Sequence, residues 1–265
     1  SSDLIVFKLV GTLPEYLSAK DIILFILGKI GCQGAIGKVL EFRGSIIEQL
    51  SMDERMTLSN MAVECGAMCG LIVPDRITAE YLEDKLPDKN AADYTPIAGD
   101  ADAVYDAIYR FDLSNLSTQI ACPPKPDNVV NLKDLPDTPI TLAFIGSCTG
   151  GKLGDLAQAA AVLKDRQVNP QVQMYVVPAS QQIRQQAEAL GYWEIFTRAG
   201  VQMLKSGCGA CINSGRGVLG QQETGIYATN RNFTGRTGDP TGKNYLASPR
   251  VVSISAIKGK ISDRL

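Results

Sequence analysis

Two cysteines, Cys208 and Cys211, form a C-x-x-C pair within the glycine-rich stretch SGCGACINSGRG (206–217). Thiolates at this spacing are typical ligands of zinc and of iron–sulfur clusters, and they also form redox-active pairs. The two cysteines could equally be unreactive and buried. A thioredoxin-like pair opens a helix after the first strand of a small domain, which fits this stretch poorly. The spacing alone therefore favours zinc without excluding a cluster, a redox pair or two unreactive thiols.

The sequence contains no histidine. Histidine is the usual general acid or base near neutral pH and the most common metal ligand. Zinc sites with mixed Cys and His ligands, and Ser–His or Cys–His nucleophile pairs, are therefore excluded within this chain. The seven cysteines are odd in number and widely spread over 265 residues, which argues against a secreted disulfide scaffold. We expect a reducing, cytoplasmic location.

The composition excludes several classes of partner. The net charge of −2 lacks the excess of positive charge that nucleic-acid-binding proteins carry. The sequence has no apolar run of about 18 residues or more, so it predicts no transmembrane helix. The first residues lack the basic and small-residue features of a signal peptide. We expect a soluble protein that binds neither nucleic acid nor a membrane.

The residues after Pro139 predict a parallel sheet that would position the C-x-x-C pair. Short apolar runs alternate with amphipathic helical patterns, as expected of strands joined by helices on the faces of a sheet. The predicted strands are 140–146, 172–178 and 201–204, and the predicted helices are one with Leu153, Leu156, Ala160 and Leu163 on its apolar face, followed by 180–191 and 192–200.

A third cysteine, Cys148, directly follows the first of these strands in GSCTGG, and the C-x-x-C pair follows the third strand. Sites in open α/β sheets form beyond the carboxyl ends of the strands. We therefore expect Cys148, Cys208 and Cys211 to converge. Three thiolates on a four-metal cluster leave one metal without a protein ligand, and such a metal can act as a Lewis acid on a substrate.

The first 122 residues predict a second α/β unit. Ser18 precedes the apolar stretch AKDIILFILGKIG, with Asp21 three residues on, which is the capping-box pattern of a helix start. The other predicted elements are strands over 4–9 and 38–44, a buried helix over 54–73, and an element of undecided type over 101–111.

The remaining four cysteines are expected to be unreactive. Cys65 and Cys69 lie four residues apart in the predicted helix, so they would share one face among methionines and small residues. Cys32 and Cys122 follow no predicted strand end of the second unit. All four are therefore predicted to be core residues.

The proline-rich segment CPPKPDNVVNLKDLPDTPI (122–140) predicts a linker because it holds five prolines and little periodicity. The chain would then consist of a domain over 1–122, a linker over 123–139 and a domain over 140–265. The expected fold class is α/β, with two domains whose sheets are mainly parallel.

Two arginines, Arg231 and Arg236, lie in a segment over 228–249 that is rich in glycine, asparagine and threonine. A loop arginine is usually an exposed surface charge. Arginine is also the residue best suited to bidentate recognition of a carboxylate. Together with an open metal, the two arginines indicate a small polycarboxylate substrate.

Several motifs together resemble the aconitase superfamily of [4Fe–4S] hydro-lyases. They occur in order and cover essentially the whole chain: SNMAVECGAMCGLIVPD (59–75), GSCTGGKLGDL (146–156), GCGACI (207–212), NRNFTGR (230–236) and LASPRVVSISAIKG (246–259). The resemblance is to the two middle domains of that family.

The resemblance implies a role for each matching residue. The cluster ligands would be Cys148, Cys208 and Cys211; Asn60 and Asn230 would lie beside the cluster; Glu64 would be catalytic near the open iron; and Arg231 and Arg236 would bind substrate. The implied reaction is dehydration and rehydration of a small hydroxy-dicarboxylate, with isopropylmalate, homoaconitate and methylated malates as alternative substrates. A non-catalytic iron- or zinc-binding sensor is the alternative of another class.

The sequence departs from the family pattern at two positions and in extent. Gly150 stands where the family has asparagine, which puts one polar cluster contact in doubt, and Ala210 stands where it commonly has proline. The family also has a first domain with histidine–aspartate pairs and a swivelling last domain with a serine base. We therefore expect a small swivelling subunit as a partner, and an incomplete chain that is inactive alone.

Overall fold

A four-stranded parallel sheet forms the N-terminal part of the protein. The computed structural model describes residues 3–86, 97–100 and 102–265. The strands are β1 (Leu4–Val10), β2 (Val39–Arg43), β3 (Cys69–Ile72) and β4 (Ala107–Asp112), in the spatial order β3-β2-β1-β4. The predicted strands over 4–9 and 38–44 are confirmed. Within the undecided stretch over 101–111, strand β4 begins at Ala107, and residues 102–106 form no helix or strand. Ala101 lies outside the described residues.

The described residues of this part form three α-helices, α1 (Ala19–Ile30), α2 (Met52–Met61) and α3 (Arg76–Lys85). The predicted capping box of α1 is confirmed, since the Ser18 main-chain N–H donates to Asp21 Oδ2 at 3.0 Å. Gly31, with φ of 74°, ends the helix in a backbone conformation that glycine adopts readily. Most of α1 is apolar and buried. It therefore serves as a central core helix.

The predicted helix over 54–73 is wrong in its second half. Helix α2 ends at Met61, a 3₁₀ turn follows over Ala62–Cys65, and Gly66 reverses the chain with φ of 85°. A side chain at Gly66 would meet the Cys32 carbonyl oxygen at 3.0 Å, so the turn requires glycine. An apolar run does not distinguish a continuing helix from a turn into a buried strand.

This turn separates two cysteines that the sequence placed on one helical face. Cys65 is buried in the 3₁₀ turn, whereas Cys69 is exposed at the start of β3. Burial raises the pKa of Cys65 to about 12, and it raises the pKa values of Cys32 and Cys122 to about 11. The reactive thiolate form of these three is therefore scarce at neutral pH.

A seven-stranded mixed sheet forms the C-terminal part. Its strands are β5 (Gln119–Ala121), β6 (Val129–Asn131), β7 (Leu142–Gly146), β8 (Gln173–Val177), β9 (Gln202–Met203), β10 (Thr224–Tyr227) and β11 (Lys243–Leu246), in the order β6-β5-β11-β10-β7-β8-β9. The three predicted strands are β7, β8 and β9, which pair in parallel. Strands β10 and β11 complete the parallel part of the sheet.

The helices of this part are α4 (Ser147–Gly150), α5 (Leu153–Leu163), α6 (Gln181–Ala189), α7 (Tyr192–Ala199) and α8 (Pro249–Lys258). The predictions of α5, α6 and α7 are confirmed. In the part of the chain that the structure describes, no helix is both long enough and apolar enough to cross a membrane.

The proline-rich segment contains regular structure that the sequence did not indicate. Strands β5 and β6 form an antiparallel pair, and β5 joins the sheet through Ala121 opposite Leu246 of β11. Pro123 and Pro124 lie in the connection between the two strands. The prolines therefore form a turn within the sheet, and the division at 123–139 stays a prediction.

One hydrophobic core continues from the first sheet to the second. It joins Phe7 and Leu27 to Phe144 and Tyr227, which lie on the inner face of the seven-stranded sheet. The outer face packs against α5 and α8 through residues such as Ile145. This packing places α2 of the N-terminal part next to the turn that follows β7 and next to the segment that follows β10.

Candidate active site

Cys148 is the second residue of α4, a single helical turn that directly follows strand β7. Gly146 ends the strand, and Ser147 has φ of 69°, a left-handed conformation that is uncommon for a side chain other than glycine. The turn leaves the Cys148 thiol exposed. A side chain at Gly150 would lie 2.0 Å from the Ala228 carbonyl oxygen, just beyond β10. Glycine at this position therefore lets α4 approach the segment that carries Asn230.

A polar network joins this turn to α2. The Thr149 hydroxyl donates to Asn230 Oδ1 at 2.6 Å, and Asn230 Nδ2 donates to Asn60 Oδ1 at 2.6 Å. Cys148 Sγ lies 3.7 Å from Asn60 Oδ1 and 3.8 Å from Asn230 Oδ1. The structure thus brings together three residues, Cys148, Asn60 and Asn230, that come from three different motifs.

Glu64 and Arg231 form a second contact between the two parts of the protein. Arg231 Nε lies 2.7 Å from Glu64 Oε1 and 2.9 Å from Oε2. The 3₁₀ turn after α2 buries Glu64, which is 5% exposed. Burial raises the pKa of Glu64 above its ordinary value, and the hydrogen bond and charge of Arg231 partly oppose that rise. The hydrogen bond with Glu64 in turn raises the pKa of Arg231.

Arg236 supplies a guanidinium group with unused hydrogen-bonding capacity. Its Nε atom is buried and has no hydrogen-bond partner among the described residues. It lies close enough to Glu64 for its charge to lower the pKa of that carboxyl group. Buried donors are normally paired, so the unpaired Nε–H makes Arg236 a candidate donor to an anionic ligand.

Cys208 directly precedes a 3₁₀ turn over Gly209–Ile212 and is exposed, whereas Cys211 lies within that turn and is buried. The loop returns toward β7, because a side chain at Gly217 would meet the Phe144 ring at 2.7 Å. Cys211 and Cys148 both lie near enough to Arg231 for their thiolate forms to raise its pKa, although the hydrogen bond with Glu64 has the larger effect. Thiols from both motifs therefore act on the same guanidinium.

The three thiols do not form a closed ligand group. Within residues 3–86, 97–100 and 102–265, no cluster of three or more His, Cys, Asp or Glu side chains is arranged to hold a metal ion. Strand β8 separates β9 from β7, which sets their ends about 10 Å apart at ordinary strand spacing. Cys148, Cys208 and Cys211 therefore lie at the same edge of one sheet, as expected, but their thiols are not gathered into one ligand group. The donor set, three free thiols, suits an iron–sulfur cluster chemically.

The structure also reveals site residues that sequence analysis does not single out. Thr149 orients Asn230, and the buried side chains of Lys20 and Lys152 contact segments that carry site residues. Lys20 resembles an ordinary charged residue in the first turn of α1. Its burial depends on tertiary packing, which leaves no signal in the local pattern.

A sequence profile of the aconitase family (aconitate hydratase) matches residues 1–259. The chain belongs to the aconitase family. In Halothermothrix orenii, the 3-isopropylmalate dehydratase large subunit is 44% identical over 252 residues, which are 95% of this chain and 59% of that protein. The large subunit of the same name in Campylobacter concisus is 45% identical over 262 residues, covering 98% of this chain and 61% of that protein.

A more distant member is large subunit 2 of 3-isopropylmalate dehydratase from Archaeoglobus fulgidus, which is 39% identical over 97% of this chain and 61% of its own length. Among solved structures, aconitase X of Thermococcus kodakaraensis superposes with a TM-score of 0.46 at 15% identity, covering 86% of this chain and 49% of that one. The chain thus spans about three fifths of the length of the curated relatives it matches.

Proposed function

We propose that this chain is the cluster-bearing part of a [4Fe–4S]-dependent hydro-lyase large subunit. The reaction would isomerise 2-isopropylmalate to 3-isopropylmalate by dehydration and rehydration, a step of leucine biosynthesis. The observation that carries the proposal is the gathering of residues from separate motifs at one place. Asn60 and Glu64 reach across from the N-terminal part to Cys148, Asn230 and Arg231.

Cys148, Cys208 and Cys211 are the residues that would hold the cluster. When bound, a [4Fe–4S] cluster with three protein ligands supplies an open iron, a Lewis acid for the hydroxyl and carboxylate groups of a hydroxy acid. The oxygen atoms of Asn60 and Asn230 already lie beside Cys148 Sγ. These two amides would therefore orient the Cys148 ligand.

The remaining side chains have roles that their own contacts support. The unpaired guanidinium of Arg236 would bind a substrate carboxylate. Arg231 is held by Glu64 through Nε, which fixes the guanidinium at the rim of the site. Burial raises the pKa of Glu64, so its carboxyl group can hold or release a proton closer to neutral pH than an exposed glutamate.

The base that removes the carbon-bound proton would come from outside this chain, which contains no histidine. The names of the relatives describe a large subunit, and we propose a small subunit with a swivelling domain as the partner. The part of the relatives that has no counterpart here would contribute the histidine-bearing groups. This chain with the small subunit alone should therefore show no turnover.

The test is an assay of the complete large subunit that carries this chain, together with its small subunit, on a panel of hydroxy-dicarboxylates. We expect the highest kcat/KM for 2-isopropylmalate, and we expect Arg236→Lys to raise KM because a point charge replaces a bidentate donor. A preference for homoaconitate or a methylated malate would overturn the substrate assignment. Turnover by this chain and the small subunit alone would overturn the assignment of the base to the missing part.

A further inference from the structure

Two buried lysines reach across the boundary between the two parts of the protein, beside the candidate site. Lys20 lies in α1 and is 3% exposed, and Lys152, just before α5, is 5% exposed. Lysine is almost never buried without a partner, because removing an ammonium group from water is costly. We propose that this lysine pair positions the site by holding α2 against the segments that carry Cys148 and Asn230.

Lys20 makes the first of these crossings. Its Nζ donates to the main-chain oxygen of Thr229 and also lies 3.2 Å from Met61 Sδ. Thr229 directly precedes Asn230 and Arg231, and Met61 directly follows Asn60. One ammonium group therefore contacts the immediate neighbours of both amides in the polar network.

Lys152 belongs to the C-terminal part and contacts the N-terminal part, which is the reverse of Lys20. Its Nζ donates to the Thr57 hydroxyl at 2.7 Å, and it also donates to the main-chain oxygens of Thr149 at 3.1 Å and Cys148 at 3.3 Å. Thr57 lies one helical turn before Asn60 on α2. Lys152 therefore links the turn that presents Cys148 to the helix that presents Asn60.

Along α2, Lys152 contacts Thr57 before Asn60, and Lys20 contacts Met61 directly after it. Neither lysine is exposed to a ligand, so both would act through the residues they hold. The Asn60–Asn230 bond, at 2.6 Å, depends on the spacing between α2 and the end of β10. Removing either crossing would change that spacing. Such positioning operates in the metal-free protein and does not depend on the proposed reaction.

The test uses the metal-free chain and four variants: Lys20→Met, Lys152→Met, Thr57→Val and the control Lys164→Met, whose lysine is exposed. Nuclear magnetic resonance of nitrogen-15-labelled protein follows the side-chain amides of Asn60 and Asn230. Alkylation by iodoacetamide, read by mass spectrometry, follows Cys148, with the exposed Cys69 of β3 as an internal reference.

In both buried-lysine variants we expect the Asn60 and Asn230 amide resonances to move. The alkylation rate of Cys148 should change by about threefold or more, as for residues in energetic contact. The rate for Cys69 should stay as in the wild type, and Lys164→Met should change nothing. Thr57→Val removes the cross-boundary acceptor of Lys152, together with a hydrogen bond of 3.1 Å from the Thr57 hydroxyl to the Asp53 main-chain oxygen within α2. It should change Cys148 in the same direction as Lys152→Met.

Unchanged amide resonances and an unchanged Cys148 rate in the buried-lysine variants would overturn the proposal. An equal change at Cys69 and Cys148 would also overturn it, because it would show a general loss of stability in place of local positioning. Where a lysine variant does not fold, Thr57→Val decides: a change confined to Cys148 and the two amides supports the proposal, and no change refutes it.

Discussion

The buried ammonium group of Lys20 makes a quantitative prediction about the pH dependence of stability. Burial lowers the pKa of Lys20 from 10.5 to about 8, although negative groups nearby oppose the shift. The charged groups that act on it are Glu64, Asp155, Cys211 and Lys152. Between pH 8 and 10.5 the unfolded chain therefore holds a proton on this lysine that the folded protein has released.

The sign and the size follow from this difference in bound protons. Because the unfolded state binds more protons in that window, the Lys20 contribution to the free energy of unfolding rises with pH. At about 1.4 kcal/mol for each unit of pKa, the whole shift amounts to about 3 kcal/mol, absent below pH 8 and complete near pH 10.5. Lys20→Met removes the titrating group and with it this dependence.

The assay is urea unfolding of the wild type and Lys20→Met at several pH values between 7 and 10.5. The difference in unfolding free energy, wild type minus variant, should increase by about 3 kcal/mol across the window. Other groups titrate in both proteins and cancel in the difference. A difference that stays constant with pH, or that decreases, would refute the description of Lys20 as a buried group with a lowered pKa.

Three further predictions concern stability. Burial raises the pKa of Asp21 to about 6, so between pH 4 and 6 the folded protein holds a proton that the unfolded chain has released. The difference in unfolding free energy, wild type minus Asp21→Asn, should therefore fall by about 3 kcal/mol between pH 4 and 7, as measured by urea titrations. Gly150→Ala should cost about 1–3 kcal/mol in thermal unfolding because its Cβ would clash with a main-chain oxygen, whereas Gly154→Ala in α5 should cost nothing; equal effects would contradict the packing. A double-mutant cycle of Glu64→Ala and Arg231→Ala should give a coupling energy of about 1–2 kcal/mol, reduced by the partial exposure of the arginine, and no coupling would contradict the ion pair.

Local patterns in the sequence predicted the elements whose signals are local. The capping box before α1 and the alternating strands and helices from β7 to β9 were identified because period, caps and glycine stops agree in each segment. The predicted helix over 54–73 was wrong beyond Met61, because a 3₁₀ turn follows and Gly66, which lies close to Cys32, reverses the chain. Strand β6 was missed because its pairing with β5 is tertiary and prolines dominate the segment around it.

The same distinction applies to the candidate site. Residue type and placement identified Cys148 and Arg231, whereas the resemblance to the aconitase family implied Asn60, Glu64 and Asn230. The structure brings Asn60 and Asn230 beside Cys148, and it pairs Glu64 with Arg231. The hydrogen-bond partners could not be read from the sequence, because they depend on how α2 packs against the second sheet. The buried lysines illustrate this most clearly, since charge and position gave no indication of their crossings.

The central claim is that Cys148 and the Cys208–Cys211 pair bind one [4Fe–4S] cluster. Anaerobic reconstitution with iron and sulfide tests it, read by visible absorbance, spin resonance, and iron and sulfide content per chain. We expect cluster uptake by the wild type and by Cys69→Ser, and loss of uptake in Cys148→Ser. A wild type that takes up no cluster, or a Cys148→Ser variant that takes up as much as the wild type, would contradict the account; zinc at one ion per chain without sulfide would favour a metal-binding role of another kind.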